Sequence, residues 1–105
     1  MVIIESSVFT KQVLKLLSDE EYQQLQLELI RRPDLGVIIA GSGGLRKVRV
    51  ALEGRGKRGG ARTIYYWAVA HEQLLMLLIY PKNVQDDLTS EQLKMLRQIV
   101  EAEYR

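Results

Sequence analysis

Lys47 and Arg49 lie two residues apart in the run LRKVRV, Arg62 opens the run RTIYYW, and Lys82 follows the apolar run LLMLLIY. Residues two apart on a strand share a face. Lys47 and Arg49 therefore project to one side, and Val48, Val50 and Leu52 to the other. If Arg62 stands on a neighbouring strand and shares that side, three cations converge on one groove, which Lys82 could close. Such a groove can hold a phosphodiester and stabilise the charge that builds as phosphorus becomes pentavalent. Arginine forks match phosphate oxygens two at a time. A lysine crowded by other cations has a lowered pKa and can take a proton without a histidine. Tyr66, Trp67 and Tyr80 offer rings on which bases could stack.

The charge distribution points the same way. Between Gly41 and Tyr66 stand seven of the chain's 15 Lys and Arg (Arg46, Lys47, Arg49, Arg55, Lys57, Arg58 and Arg62) against one acid, Glu53. Seven cations less one acid give that stretch +6, while the whole chain carries +2 and the remainder therefore −4. Positive charge gathered in this way marks a polyanion site, phosphate first among the candidates. The bland alternative is a solvated sheet face whose charges serve only solubility.

Other chemistries find little support. There is no cysteine and a single histidine, His71, which rules out thiolate chemistry and argues against a zinc centre. The loop Gly54 to Gly60 has the composition of an anion nest but lacks the spacing of a phosphate-binding P-loop. Asp86 and Asp87 read as loop and helix cap rather than as a metal site. No nucleophile triad or carboxylate pair is visible. With 105 residues and 47% hydrophobic content, one domain with one modest core is expected. The N-terminus does not read as a signal peptide, and no run approaches the roughly 20 apolar residues of a membrane span. Cytoplasm is the expected location, with no membrane partner.

The elements that must position these residues follow from periodicity. Val2 to Ile4 reads as a short strand. Phe9, Val13, Leu16 and Leu17 form the stripe of a short helix. Ser18 to Glu21 reads as a capping box opening a second helix with Tyr22, Leu25, Leu29 and Ile30 inward, ended by Pro33. Asp34 to Gly44 reads as loop. Strands are expected over Arg46 to Leu52, Arg62 to Val69 and Leu74 to Tyr80, the last apolar on both faces and so central. Ala70 to Gln73 suits a hairpin turn. Thr89 to Gln92 offers an N-cap for a last helix with Leu93, Leu96 and Val100 inward. The predicted fold is α+β: a small antiparallel sheet with an N-terminal helical hairpin on one face, the cations facing the open side, and a C-terminal helix.

The runs Gly43 to Val50, Gly54 to Tyr66 and Ile79 to Asn83, with Leu17 to Tyr22 and Pro33 to Gly36, resemble toxins of the RelE/ParE superfamily, nearest the HigB type, over almost the whole chain. The resemblance implies a toxin of a type II toxin–antitoxin module. It would cut mRNA in the ribosomal A site, without a metal or other cofactor. The 2′-hydroxyl would attack the adjacent phosphate, leaving a 2′,3′-cyclic phosphate and a 5′-hydroxyl. Implied partners are a cognate antitoxin carrying a DNA-binding domain, with operon repression depending on the complex, and the 70S ribosome with its mRNA; the free toxin is expected to be monomeric. By the same resemblance Lys47, Arg49, Arg62 and Lys82 match basic active-site positions. The RelE pattern has a tyrosine within the region corresponding to Val84 to Thr89. None stands there, which makes Tyr80 and Lys47 the acid–base candidates. Asn83 stands near an arginine position of RelE. Arg46, Arg55, Lys57 and Arg58 are then expected to contact RNA or ribosome. Two other readings compete: a ParE-like gyrase poison, and a non-catalytic RNA- or ribosome-binding module.

Overall fold

A computed structural model describes residues 1–52 and 60–104. The elements run β1 (Val2–Glu5), α1 (Ser7–Leu16), α2 (Asp19–Arg31), β2 (Val37–Ile38), β3 (Leu45–Val50), β4 (Ala61–Ala68), β5 (Gln73–Pro81) and α3 (Ser90–Tyr104), with a short 3₁₀ turn at Val69–His71 between β4 and β5. The five strands form one sheet in the order β1-β5-β4-β3-β2. The α+β class and the order of helices are as the sequence predicts.

Helix starts are set by side chains. The Ser18 hydroxyl accepts from the Glu21 N–H at 3.1 Å, and the Glu21 carboxylate accepts from the Ser18 N–H at 2.8 Å. This is the expected capping box. Thr89 and Gln92 repeat the arrangement ahead of α3, at 3.1 Å and 3.0 Å. Pro33 lies just beyond α2, and Arg31 stands in its last turn, where a cation suits the helix dipole.

Four expectations are corrected. The sheet is mixed, not antiparallel, because β1 lies parallel to β5, Ile3 opposite Leu74 and Ile4 opposite Leu75. Three β-branched residues mark a strand but do not say which way its partner runs. The Asp34 to Gly44 segment contains a two-residue strand, β2, paired to Arg46 and Lys47, too short to show a period. And the sheet has no fully open face. Phe9, Val13, Leu25 and Leu29 of the hairpin pack on one side with Tyr65, Met76 and Ile79. Leu96 and Val100 of α3 pack on the other with Leu45, Ile64 and Leu77. β5 is an interior strand as expected, although β4 holds the middle position. Ile30, expected inward, is exposed.

A polar clamp joins β1 to both hairpin helices. The Tyr22 hydroxyl and the Thr10 hydroxyl both donate to the Glu5 carboxylate, Thr10 at 2.6 Å. Burial, and then the hydrogen bond to Glu5 and its charge, push the Tyr22 phenol well above its ordinary value. The folded state thus favours the neutral phenol more than the unfolded chain does. That contribution is complete below about pH 10, the ordinary tyrosine value, and is lost as pH rises beyond it. Tyr65, Tyr80 and Tyr104 are shifted in the same direction. Thermal unfolding between pH 8 and 11 is therefore expected to show a falling Tm above about pH 10. Tyr22→Phe, less stable at neutral pH, is expected to fall less steeply; parallel curves for the two proteins would exclude the clamp as a contributor.

Candidate phosphate-binding site

The β3–β4 ladder fixes the register left open by the intervening loop. Arg49 stands directly opposite Arg62, and Arg62 directly opposite Tyr80 of β5. Lys47 stands one side-chain step along, opposite Ile64. Residues paired in this way have Cβ atoms about 4.5–5.5 Å apart, and like charges placed opposite one another destabilise a sheet. Two arginines in that relation invite an anion between them.

Alternation alone does not bring Tyr80 to this row. Tyr65 pairs with Met76 and Ile64 with Leu78, so Leu77 is an extra residue in β5. The bulge resets the alternation: Leu77, Leu78 and Tyr80 join the α3-side core while Ile79 joins the hairpin-side core. Neighbouring elements fasten it. The Ser6 hydroxyl donates to the Leu77 carbonyl at 2.9 Å, and the Ile79 N–H donates to Gln12 Oε1 at 3.1 Å, just past the point where β1 stops. Such bulges re-aim side chains near functional sites.

Apart from Arg49, which is exposed, the row is semi-enclosed. The Arg62 side chain is 15% exposed and that of Lys47 34%. Tyr80 is 5% exposed, and its hydroxyl is buried without a hydrogen-bond partner among the described residues. Burial raises the Tyr80 phenol above its ordinary value, with the nearby Arg62 charge opposing and Asp87 and Asp86 adding to the rise. The phenol is thus held protonated. The sequence did not single out Asp87 for this site. Its Oδ1 lies 3.0 Å from Arg62 Nη1 and 3.4 Å from Lys47 Nζ.

The remaining sequence-predicted residues are scattered. Lys82 follows β5, and its N–H donates to the Gly60 carbonyl at 3.0 Å, which places it at the Arg49–Arg62 end of the sheet. Its ammonium makes no ion pair among the described residues. Arg46 is on the opposite face from Lys47 and Arg49: its guanidinium donates to the Gly36 carbonyl at 2.8 Å and helps hold the turn after α2. Arg55, Lys57 and Arg58 lie outside the described residues. The rings proposed for base stacking are committed elsewhere. Tyr66 packs on Tyr104 with ring centroids 5.5 Å apart, and Trp67 packs against the hairpin-side core. Tyr65 is wholly buried; its hydroxyl donates to the Pro33 carbonyl and accepts from the Gly36 N–H.

A groove of about 640 Å³ lies between α2 and β3; Glu20, Glu21 and Glu28 line its α2 wall, and Arg49 lies on its β3 side. Its acidic wall repels a polyanion. An anion is favoured instead at the cationic row.

Comparison with known proteins bears on the fold and the family. The fold is similar to that of an E. coli RelE double arginine-to-alanine mutant in the free state, with a TM-score of 0.63 at 15% identity over 90% of this chain and 96% of that one. It is also similar to a chain of the intact E. coli RelBE toxin–antitoxin complex, with a TM-score of 0.59 at 15% identity over 74% of this chain and 92% of that one. At such identity the likeness is one of fold. The family model described as the RelE toxin of the RelE/RelB toxin–antitoxin system matches residues 5–104, nearly the whole sequence, and the chain belongs to that family.

Proposed function

We propose that this protein is the toxin of a type II toxin–antitoxin module, of the HigB type, and that it acts as a ribosome-dependent, metal-independent endoribonuclease on mRNA in the A site. The observation that carries this reading is the row of Arg49, Arg62 and Tyr80 across three strands, with Lys47 beside it on the same face. Partners on this reading are the 70S ribosome with its mRNA and a cognate antitoxin with a DNA-binding domain; the site of action is the cytoplasm.

The chemistry would be a transesterification. The 2′-oxygen loses its proton and bonds to phosphorus while the bond from phosphorus to the 5′-oxygen breaks. The products are a 2′,3′-cyclic phosphate and a 5′-hydroxyl. Arg62 and Arg49 receive the charge that grows on the non-bridging oxygens, which is worth most in a semi-enclosed site with fixed donors. Tyr80, held protonated, supplies the proton to the departing 5′-oxygen. Lys47, beside the row, is the residue placed to take the proton from the 2′-hydroxyl. The Tyr80 hydroxyl is buried in the free chain, so the groups that cover it must move aside when substrate binds.

Primer extension on a reporter mRNA in a purified translation system tests this reading. Cuts within codons that disappear when ribosomes are omitted are expected. Lys47→Ala and Arg49→Ala are each expected to lower cleavage by about 10²-fold, while co-sedimentation with ribosomes falls less than tenfold. Equal losses of both would make them binding residues only. Intact mRNA alongside continued growth arrest would overturn the ribonuclease reading in favour of gyrase poisoning. Intact mRNA without growth arrest would favour a binding module.

A further inference from the structure

Among the described residues, the anion held by the cationic row is the protein's own Asp87. One carboxylate oxygen, Oδ1, receives Arg62 Nη1 at 3.0 Å from β4 and faces Lys47 Nζ at 3.4 Å from β3. Donors from two strands meeting at one oxygen are what a non-bridging phosphate oxygen would require. Asp87 is delivered from outside: its side chain is 65% exposed, against 15% for Arg62. Its segment is anchored. Gln85 Nε2 donates to the Asp87 carbonyl at 2.8 Å and also to Gln92 Oε1, and Gln92 is the residue that closes the capping box of α3. The carboxylate is thus tethered on a short brace between β5 and α3, beside the buried Tyr80 hydroxyl.

We infer that Asp87 is a specificity residue: a tethered competitor that occupies the phosphate position in the free protein and excludes small free phosphates. A tether gives the carboxylate a high effective concentration at the site. A ligand that binds only the row competes against it and loses affinity in proportion to the fraction of protein in which Asp87 is displaced. RNA presented by a large assembly gains further contacts and overcomes the competition. The RNA part rests on the ribonuclease reading above; the competition for anions does not.

The test is titration of the intact protein with inorganic phosphate at constant ionic strength, followed by amide NMR shifts of residues 45–50 and 61–64. Asp87→Asn keeps the shape of the side chain and removes its charge. It is expected to bind phosphate about tenfold more tightly than wild type, the gain anticipated if the displaced form is about one tenth of the population. Asp87→Glu, which keeps the charge, is expected to bind as weakly as wild type, and Asp87→Asn/Arg62→Ala to lose the gain. Unchanged or weaker binding by Asp87→Asn would overturn the inference, as would a gain that survives removal of Arg62. Failure of the ribonuclease reading would instead appear as intact mRNA in the translation assay with the phosphate gain still present.

Discussion

Arg62→Ala is expected to abolish growth arrest and to lower mRNA cleavage by about 10²- to 10³-fold, the usual cost of removing a preorganised donor to a developing oxyanion. Arg62 is the best placed of the cations. It lies on the middle strand, stands between Arg49 and Tyr80, and is largely enclosed. A fixed side chain aimed into a partly dry site does more for a charged transition state than a long exposed one. The fold is expected to survive, because alanine also removes the opposition between two arginines across the ladder. Loss of the ion pair to an exposed Asp87 costs at most about 1 kcal/mol. Arg62→Lys separates charge from shape: it keeps the cation and loses the fork, so an intermediate loss of about tenfold is expected. Circular dichroism melting beside an induced-expression growth assay checks both halves. A folded Arg62→Ala protein that still arrests growth would place the chemistry elsewhere.

Much of this site is legible in the sequence, for identifiable reasons. The alternation Lys47-Val48-Arg49-Val50 puts two cations on one face, because a strand half-buried on one side has a period of two. The capping box at Ser18 to Glu21 fixes the start of α2, and with it the hairpin that covers the other face. What could not be read depends on pairing partners or on breaks in period. In LLMLLIY every residue is apolar, so an inserted residue leaves no trace in the pattern. Yet the bulge at Leu77 decides that Tyr80, and not Ile79, reaches the cations. β1 shows its strand character but not its parallel direction. Asp87 is separated from Lys47 and Arg62 along the chain; nothing local ties a loop carboxylate to strand cations. Arg46 illustrates the converse. It adds to the local charge, but its parity places it with Val48 on the hairpin face, where it serves the turn at Gly36.

Gly60→Ala is expected to be the most damaging glycine-to-alanine substitution among the described residues. Gly60 has φ +64°, and a Cβ built there would lie 2.1 Å from the Val50 carbonyl oxygen and 3.3 Å from Ala51 Cα. These are backbone atoms at the end of β3, with no side chain that could swing aside. The same residue accepts the Lys82 N–H through its carbonyl, so it joins the end of β3, the start of β4 and the end of β5. Alanine must therefore pry Val50 from Ala61, the pair adjacent to Arg49 and Arg62. A left-handed alanine by itself costs about 1 kcal/mol; with the collision, about 2–4 kcal/mol is expected, lowering Tm by on the order of 10 °C or more. Activity is expected to fall further than stability, by about 10²-fold at temperatures where the protein remains folded, because a misplacement of about 1 Å at the reacting groups costs that much. Gly41→Ala is the matched control. Its φ is +71°, but a Cβ there meets nothing within 4 Å, so only the backbone strain remains and a near-normal toxin is expected. Melting curves and ribosome-dependent cleavage of the two variants side by side decide the matter. If Gly60→Ala proves as mild as Gly41→Ala, close contact at this corner does not hold the arginine pair in register.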